Sequence, residues 1–479
     1  MKTQTRIIPK GIVWPFALLT ILFFAWAVPN NLTDTMLAAF KRIMSLSDSK
    51  TAWIQVVCYF LGYGCCAIPG ALLIQKFSYK TGVEIGLGLY ALGTFLFYPA
   101  MKISVGLSME LGFVMFLLAI FVLFAGLSIL ETATNSYVVA LGDQETATRR
   151  LNFAQSFNPF GAISGVLISQ IFILSQLNTL DEQARAALSA EELVAMQGQE
   201  LHHVTMTYVI LGLVMMAILA MIHFTKMPNL KESGKIDFKG SFSRLMGNKM
   251  YIWSVVAQFF YMGAQIAVWS YAIRYAISAL DFNGIIAALE TQLGRVPTSD
   301  EIILALRSVE PISAGFYNIC DALHIDALLP RTAEQAGATF YIFSLILFVT
   351  CRFICTFLMK YIKPERLLAM ISFLAILCCL GTIYGSGAFG VYCLMGISGC
   401  MSLMFPTIYG LGVSDLGEDT KLGGSGMIMA IAGAALLTQI QGIISDAVSN
   451  IASSYWVPVI AFAVILFYCI FPCSKYQGR

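Results

Sequence analysis

Residues 110–140, ELGFVMFLLAIFVLFAGLSILETATNSYVVA, decide the class of this chain. From Leu111 to Leu130 the stretch carries no charge, and at ~1.5 Å rise per residue about 20 apolar residues cross the ~30 Å hydrocarbon core of a bilayer. Runs of comparable length recur along the 479 residues, at roughly 12–38, 51–77, 82–102, 153–178, 204–226, 249–278, 338–361, 367–386, 389–412, 423–447 and 456–473. The fold class expected is an all-α membrane protein of twelve transmembrane helices. Composition points the same way, with 58% hydrophobic and 12% charged residues against roughly 25% charged in a soluble domain. A spanning barrel would show short alternating segments instead. The lipid bilayer is therefore the chain's solvent. A net charge of +2, without any Lys/Arg-rich tract, leaves no phosphate-tracking groove and excludes a nucleic-acid partner.

The organisation expected is a six-helix bundle over 1–226, a cytoplasmic linker over 227–248 and a second six-helix bundle over 249–479, the latter with a long external loop at 281–337. The segment from Lys226 to Lys249 holds six basic and two acidic residues. With the Lys76–Lys80 and Lys360–Arg366 turns it falls on one side of the membrane if helices alternate. The loops near 179–203 and 281–337 hold only four bases between them, which places both termini in the cytoplasm by the positive-inside rule. Lys41, Arg42 and Lys50 in the first external turn run against it. Weak echoes between the halves, LGDQET at 141–146 and LGEDTK at 416–421, fit repeats related by an axis along the membrane normal. The basic N-terminus leads into an apolar run without a small-residue cleavage site, so the run reads as a retained helix. Of twelve cysteines, eleven lie in or beside apolar segments and Cys320 alone sits in a long polar loop. Neither a disulfide framework nor a metal or other cofactor is expected.

An ionisable side chain in hydrocarbon costs at least ~2.5 kcal/mol at a helix centre, so each one needs a reason. Asp34 follows Pro29, Asn30 and Asn31, with Asn31 and Asp34 on one face. Glu131 and Asn135 are four apart and share a face, and Gln155 and Asn158 repeat the pattern. A carboxylate in low dielectric beside amides favours its neutral form and can take up and release a proton as its surroundings wet and dry. The competing reading is interhelical glue, or for Asp34 a place among the headgroups. It stands level with function for Asn30, Asn135 and Gln155, whereas Glu131, deep in its helix without a nearby cation, reads as functional. On the seventh span Gln258, Tyr261, Gln265 and Trp269 form one stripe. Amides for hydroxyls and aromatics for a ring face suit a sugar, although such stripes are often packing. Tyr271, Arg274 and Tyr275 read as interface anchors. Arg352, mid-helix, reads as snorkelling, structural or gating rather than substrate-binding.

The stretches FFAWAVPNNLTD (23–34), ETATN (131–135), LNFAQSFN (151–158), GAQ with WSY (263–265, 269–271) and FPTI (405–408) resemble the fucose–proton symporter family of the major facilitator superfamily, and they do so in order along the chain. The resemblance implies two bundles rocking around a central cavity and proton-driven uptake of a monosaccharide. It assigns proton coupling to Asp34 and Glu131, with Glu131 also linking sugar binding to protonation. Asn31, Gln155 and Asn158 correspond to polar cavity positions, and the turn holding Lys76 and Lys80 resembles a cytoplasmic gate. Thr33, Ser136 and the length of loop 281–337 depart from the pattern. The loop reads as a lineage insertion rather than a lid.

The leading reading is thus a proton-coupled importer of a monosaccharide in the inner membrane, L-fucose first, then galactose, glucose or an amino sugar, with protons as co-substrate and the chain a monomer. An uncoupled facilitator or exchanger of another small solute is the alternative. A sensor is disfavoured because no soluble signalling domain accompanies the spans. An enzyme is not expected: His202, His203, His223 and His324 lie at helix ends or in loops, and no nucleophile meets a base.

Overall fold

The computed structural model describes residues 11–46, 50, 53–54, 56–173, 185, 188–228, 238–448 and 450–473, and the regular structure among them is helical, with no strand. In chain order the helices are α1 (Val13–Ile43), a π-helical run (Val56–Cys65) continuing into α2 (Cys66–Lys76), α3 (Tyr79–Phe95), α4 (Phe97–Gly106), α5 (Met109–Ala140), α6 (Ala147–Gln155), α7 (Asn158–Phe172), α8 (Ala190–Phe224), α9 (Phe238–Gly247) and α10 (Lys249–Ala279). There follow α11 (Phe282–Leu293), α12 (Ser299–Arg307), α13 (Pro311–Ala322), α14 (Ala333–Leu358), α15 (Pro364–Tyr384), α16 (Gly387–Met401), α17 (Met404–Val413), α18 (Thr420–Met429), α19 (Gly433–Val448) and α20 (Trp456–Tyr468). Among the described residues, 11 helical stretches are long and apolar enough to cross a membrane. The remaining expected span, 153–178, corresponds to α6 and α7, and its end beyond 173 lies outside the described residues.

Two differences from the sequence reading have local causes. The sixth span begins at Ala190 rather than near 204, because Ser189 and Glu192 form a capping box that starts the helix well before its apolar part. The third and tenth spans are each two helices, α3 with α4 and α16 with α17. Pro99 and Pro406 sit in the first turn of the second piece, where a missing N–H costs nothing.

Compactness divides the chain into two units, Met1–Gln258 with Pro406–Ala435, and Phe259–Phe405 with Leu436–Arg479. In the first unit α3 lies so close to α5 that a Cβ on Gly93 would sit 2.4 Å from the Leu123 amide nitrogen. Likewise a Cβ on Gly161 of α7 would stand 2.1 Å from the Phe24 carbonyl oxygen of α1. Lipid tails are as apolar as leucine, so helices in a bilayer gain by such backbone-to-backbone approach between small residues. The stretch 406–435 belongs to this unit. The hydroxyls of Ser136 and Tyr409 are 3.0 Å apart, Asn152 Nδ2 donates to Thr407 Oγ1 at 3.2 Å, and Arg244 of α9 donates to both Asp419 oxygens at 2.8 and 2.7 Å.

In the second unit Tyr275 donates to the Thr382 carbonyl of α15 at 2.7 Å and is buried, as is Tyr271, so neither is the interface anchor expected. The segment 281–337 carries three short helices and a small core of Tyr317, Cys320 and Leu329, with Ile303 of α12 packed against it. Cys320, expected in a polar loop, is thereby buried. The segment is tied to the spans by Glu310, whose Oε2 caps α13 and whose Oε1 accepts the Tyr392 hydroxyl of α16.

Candidate functional site

Glu131 is 5% exposed on α5, inside the first unit. Its Oε1 accepts the Tyr63 hydroxyl at 2.7 Å, and Tyr63 in turn accepts a hydrogen bond from Asn30 Nδ2 of α1 at 3.3 Å. One turn on, Asn135 Nδ2 donates to the Glu131 backbone carbonyl at 2.9 Å, and its Oδ1 accepts from Gln155 Nε2 of α6 at 2.7 Å. One hydrogen-bonded network therefore links four elements around Glu131, α1, the π-helical run, α5 and α6, with Tyr63 alone among the described residues reaching the carboxylate itself. Among the described residues Oε2 of Glu131 receives no hydrogen bond. That oxygen is where a proton or a polar solute would engage.

Local sequence explains the convergence. Pro69 has no N–H to donate to the carbonyl of Cys65, four residues earlier, and the π-helical register ends at Cys65. The amides of Asn135 and Gln155 bond each other in a low-dielectric interior, where an unmade bond costs roughly 1–3 kcal/mol.

Glu131, Asn135 and Gln155 are thus brought together. Asn31 donates to the Ala27 carbonyl of its own helix at 2.9 Å, and Asn158 to the Phe23 carbonyl of α1 at 3.1 Å, so both spend a donor on backbone. Asp34 lies on α1, and its side chain is outside the described residues. Gln258, on α10, is fully buried, and neither Nε2 nor Oε1 has a partner among the described residues. Asn30 Oδ1 is buried and unpartnered in the same sense.

In the second unit Tyr261 donates to the Met401 carbonyl at 3.1 Å. Trp269 Nε1 donates to Ser398 Oγ at 3.3 Å, with its ring edge-on to Phe348 at 5.2 Å, while Gln265 is half-buried. Arg352 does not snorkel. It is 3% exposed, its Nε donates to the Ser402 carbonyl, and its guanidinium lies 4.7 Å from the Phe348 ring centroid. Lys80 donates to the His223 and Thr225 carbonyls at the end of α8, at 2.7 and 3.0 Å, and lies 3.8 Å from Glu84. Lys76 is exposed, over the ring of Phe77.

Sequence reasoning missed Tyr63 and Tyr409. A tyrosine within an apolar span is ordinary, and only its contact with a carboxylate or a buried hydroxyl distinguishes it.

No family model matches the chain. It is 35% identical over 477 residues to the L-fucose-proton symporter of Haemophilus influenzae, an alignment covering 97% of this chain and 98% of that protein. It is 34% identical over 467 residues to the L-fucose-proton symporter of Escherichia coli, covering 96% and 94%. The crystal structure of the major facilitator superfamily transporter FucP in the outward conformation matches with a TM-score of 0.78 at 33% identity, covering 97% of this chain and 99% of that one. That fold has twelve helices, which accounts for α6 and α7 as a span. With its buried carboxylate among amides and near full-length similarity to these proteins, the chain belongs to the L-fucose–proton symporter family of the major facilitator superfamily and is a multi-pass membrane transporter, not an enzyme.

Proposed function

We propose that this transporter imports L-fucose together with a proton by alternating access. The observation that carries the reading is Glu131, a carboxylate held among Tyr63, Asn135 and Gln155 inside a chain 35% identical to an L-fucose-proton symporter. Glu131 Oε2 takes the proton and, with it, the link to sugar, while Asp34 serves the proton cycle. A pyranose presents hydroxyls as both donors and acceptors. Gln258 offers one of each from a buried amide. Asn31, Asn135, Gln155, Asn158, Tyr261, Gln265 and Trp269 complete the substrate set in this reading, and Lys76, Lys80 and Arg352 act in gating. The halves 1–226 and 249–479, joined by 227–248, are the moving parts of a monomer in a bacterial inner membrane, with both termini cytoplasmic and 281–337 outside.

Proteoliposomes test this directly. Under an inward pH gradient the chain accumulates L-fucose, addition of sugar alkalinises the outer medium, and Glu131→Gln and Asp34→Asn each abolish accumulation. Concentrative uptake retained in either variant removes that residue from the mechanism. A panel including galactose and glucose fixes the sugar.

A further inference from the structure

The hydroxyl that reaches Glu131 comes from a buried, closely packed side chain. Tyr63 is 1% exposed, its ring forms a triangle with Tyr59 (centroids 6.5 Å, 16° between planes) and Phe124 (5.9 Å, 80°), which are themselves 6.3 Å apart, and a Cβ on the adjoining Gly62 would sit 2.6 Å from Phe124 Cβ. The phenol oxygen therefore has little room to move. Its hydrogen-bond polarity is fixed as well. An amide nitrogen only donates, so with Asn30 Nδ2 bonded to the phenol oxygen the phenol proton points to Glu131 Oε1. With Oε1 occupied as an acceptor, proton uptake is confined to Oε2. The segment that presents Tyr63 is π-helical over Val56–Cys65, a register that is rare and recurs at functional sites. Asn30 stands one turn before Asp34 on α1, so the chain Asn30–Tyr63–Glu131 runs from one acid-bearing helix to the other.

We propose that Tyr63 is a positioning residue for proton coupling: its hydroxyl, oriented by Asn30, selects which oxygen of Glu131 exchanges the proton and joins α1 to α5 through the second span. The proposal rests on reading Glu131 as the coupling carboxylate. Tyr63 makes the bond in both protonation states of Glu131, because Oε1 accepts whether or not Oε2 carries hydrogen. Its loss frees both oxygens of Glu131 to exchange the proton and touches no sugar contact, so it affects coupling more than sugar exchange.

Tyr63→Phe keeps the ring and deletes the hydroxyl. In proteoliposomes the pH-driven accumulation ratio of L-fucose falls on the order of tenfold, as expected for a lost bond to a charged group, whereas counterflow exchange falls less than about threefold. Asn30→Ala gives the same split more weakly, and decides the matter if Tyr63→Phe does not fold. Accumulation at the unaltered level in Tyr63→Phe, alongside its abolition in Glu131→Gln, overturns the proposal and leaves the reading of Glu131 standing. Equal loss of accumulation and counterflow in folded Tyr63→Phe and Asn30→Ala also overturns it, since packing alone would act on both. Retained accumulation in Glu131→Gln instead removes the reading beneath it.

Discussion

Gln258 buries a donor and an acceptor without a described partner, a loss of roughly 1–3 kcal/mol for each atom until something bonds them. In the bilayer-embedded transporter a sugar hydroxyl is a fitting partner. Gln258→Leu should therefore raise the KM for L-fucose at least about tenfold while leaving the unliganded melting temperature equal or higher, a split measured by transport kinetics and thermal unfolding in detergent. Equal melting temperatures with an unchanged KM would remove Gln258 from the sugar site. At this scale the sequence was informative where chemistry was out of place. A carboxylate at 131 and amides at 135 and 155 stand out in hydrocarbon, and the structure joins them. Asn31 and Asn158 stand out equally but bond to backbone carbonyls, which no spacing rule separates from a cavity position. Tyr63 did not stand out, because its ring belongs in an apolar helix and only its oxygen matters.

The elements were legible as apolar lengths, and less so at their ends. Hydropathy placed the spans, whereas side-chain caps and prolines set the boundaries, as Ser189 with Glu192 and Pro99 show. The close pairing of helices rests on backbone approach that no apolar count reveals. Gly93 is one such case, since an added Cβ would stand 2.4 Å from the Leu123 nitrogen and 2.7 Å from its Cβ. Gly93→Val should force α3 away from α5 and destabilise the protein by about 1–3 kcal/mol, read as a fall in melting temperature in detergent. By contrast Gly88, on the same helix, meets nothing within 4 Å, and Gly88→Ala should leave melting unchanged or slightly raised.

For the molecule as a whole, membrane class and span number followed from composition and run length alone. The segment 281–337 was legible only as amphipathic pieces, because its core joins Tyr317 and Cys320 of α13 to Leu329 beyond that helix and to Ile303 of α12. Its α12 is held by Glu301, which accepts from Arg295 at 2.6 and 3.0 Å and from the Thr298 amide at 2.8 Å. These bonds, Arg295 first, hold the Glu301 carboxyl well below its ordinary 4.5, at about 2. A depressed carboxyl stabilises the folded form above its unfolded value and loses that contribution as pH falls through its folded one. Amide protection of Ser299–Arg307 in hydrogen exchange, corrected for intrinsic rates, should thus persist from neutral pH to about 4.5 and fall away toward 2. Glu301→Gln should lower it already at neutral pH. The π-helical run has a consequence of another kind. A π-helix winds more chain into each turn than an α-helix, so the angle at which Tyr63 meets Glu131 depends on how many residues precede it in the span. Val56 and Phe60 are 37% and 55% exposed there, and point changes at them leave that angle alone. Deleting one codon between them turns everything before the deletion by somewhat less than the ~100° per residue of an α-helix relative to the phenol, so in this stretch inheritance tolerates misspelling but not miscounting.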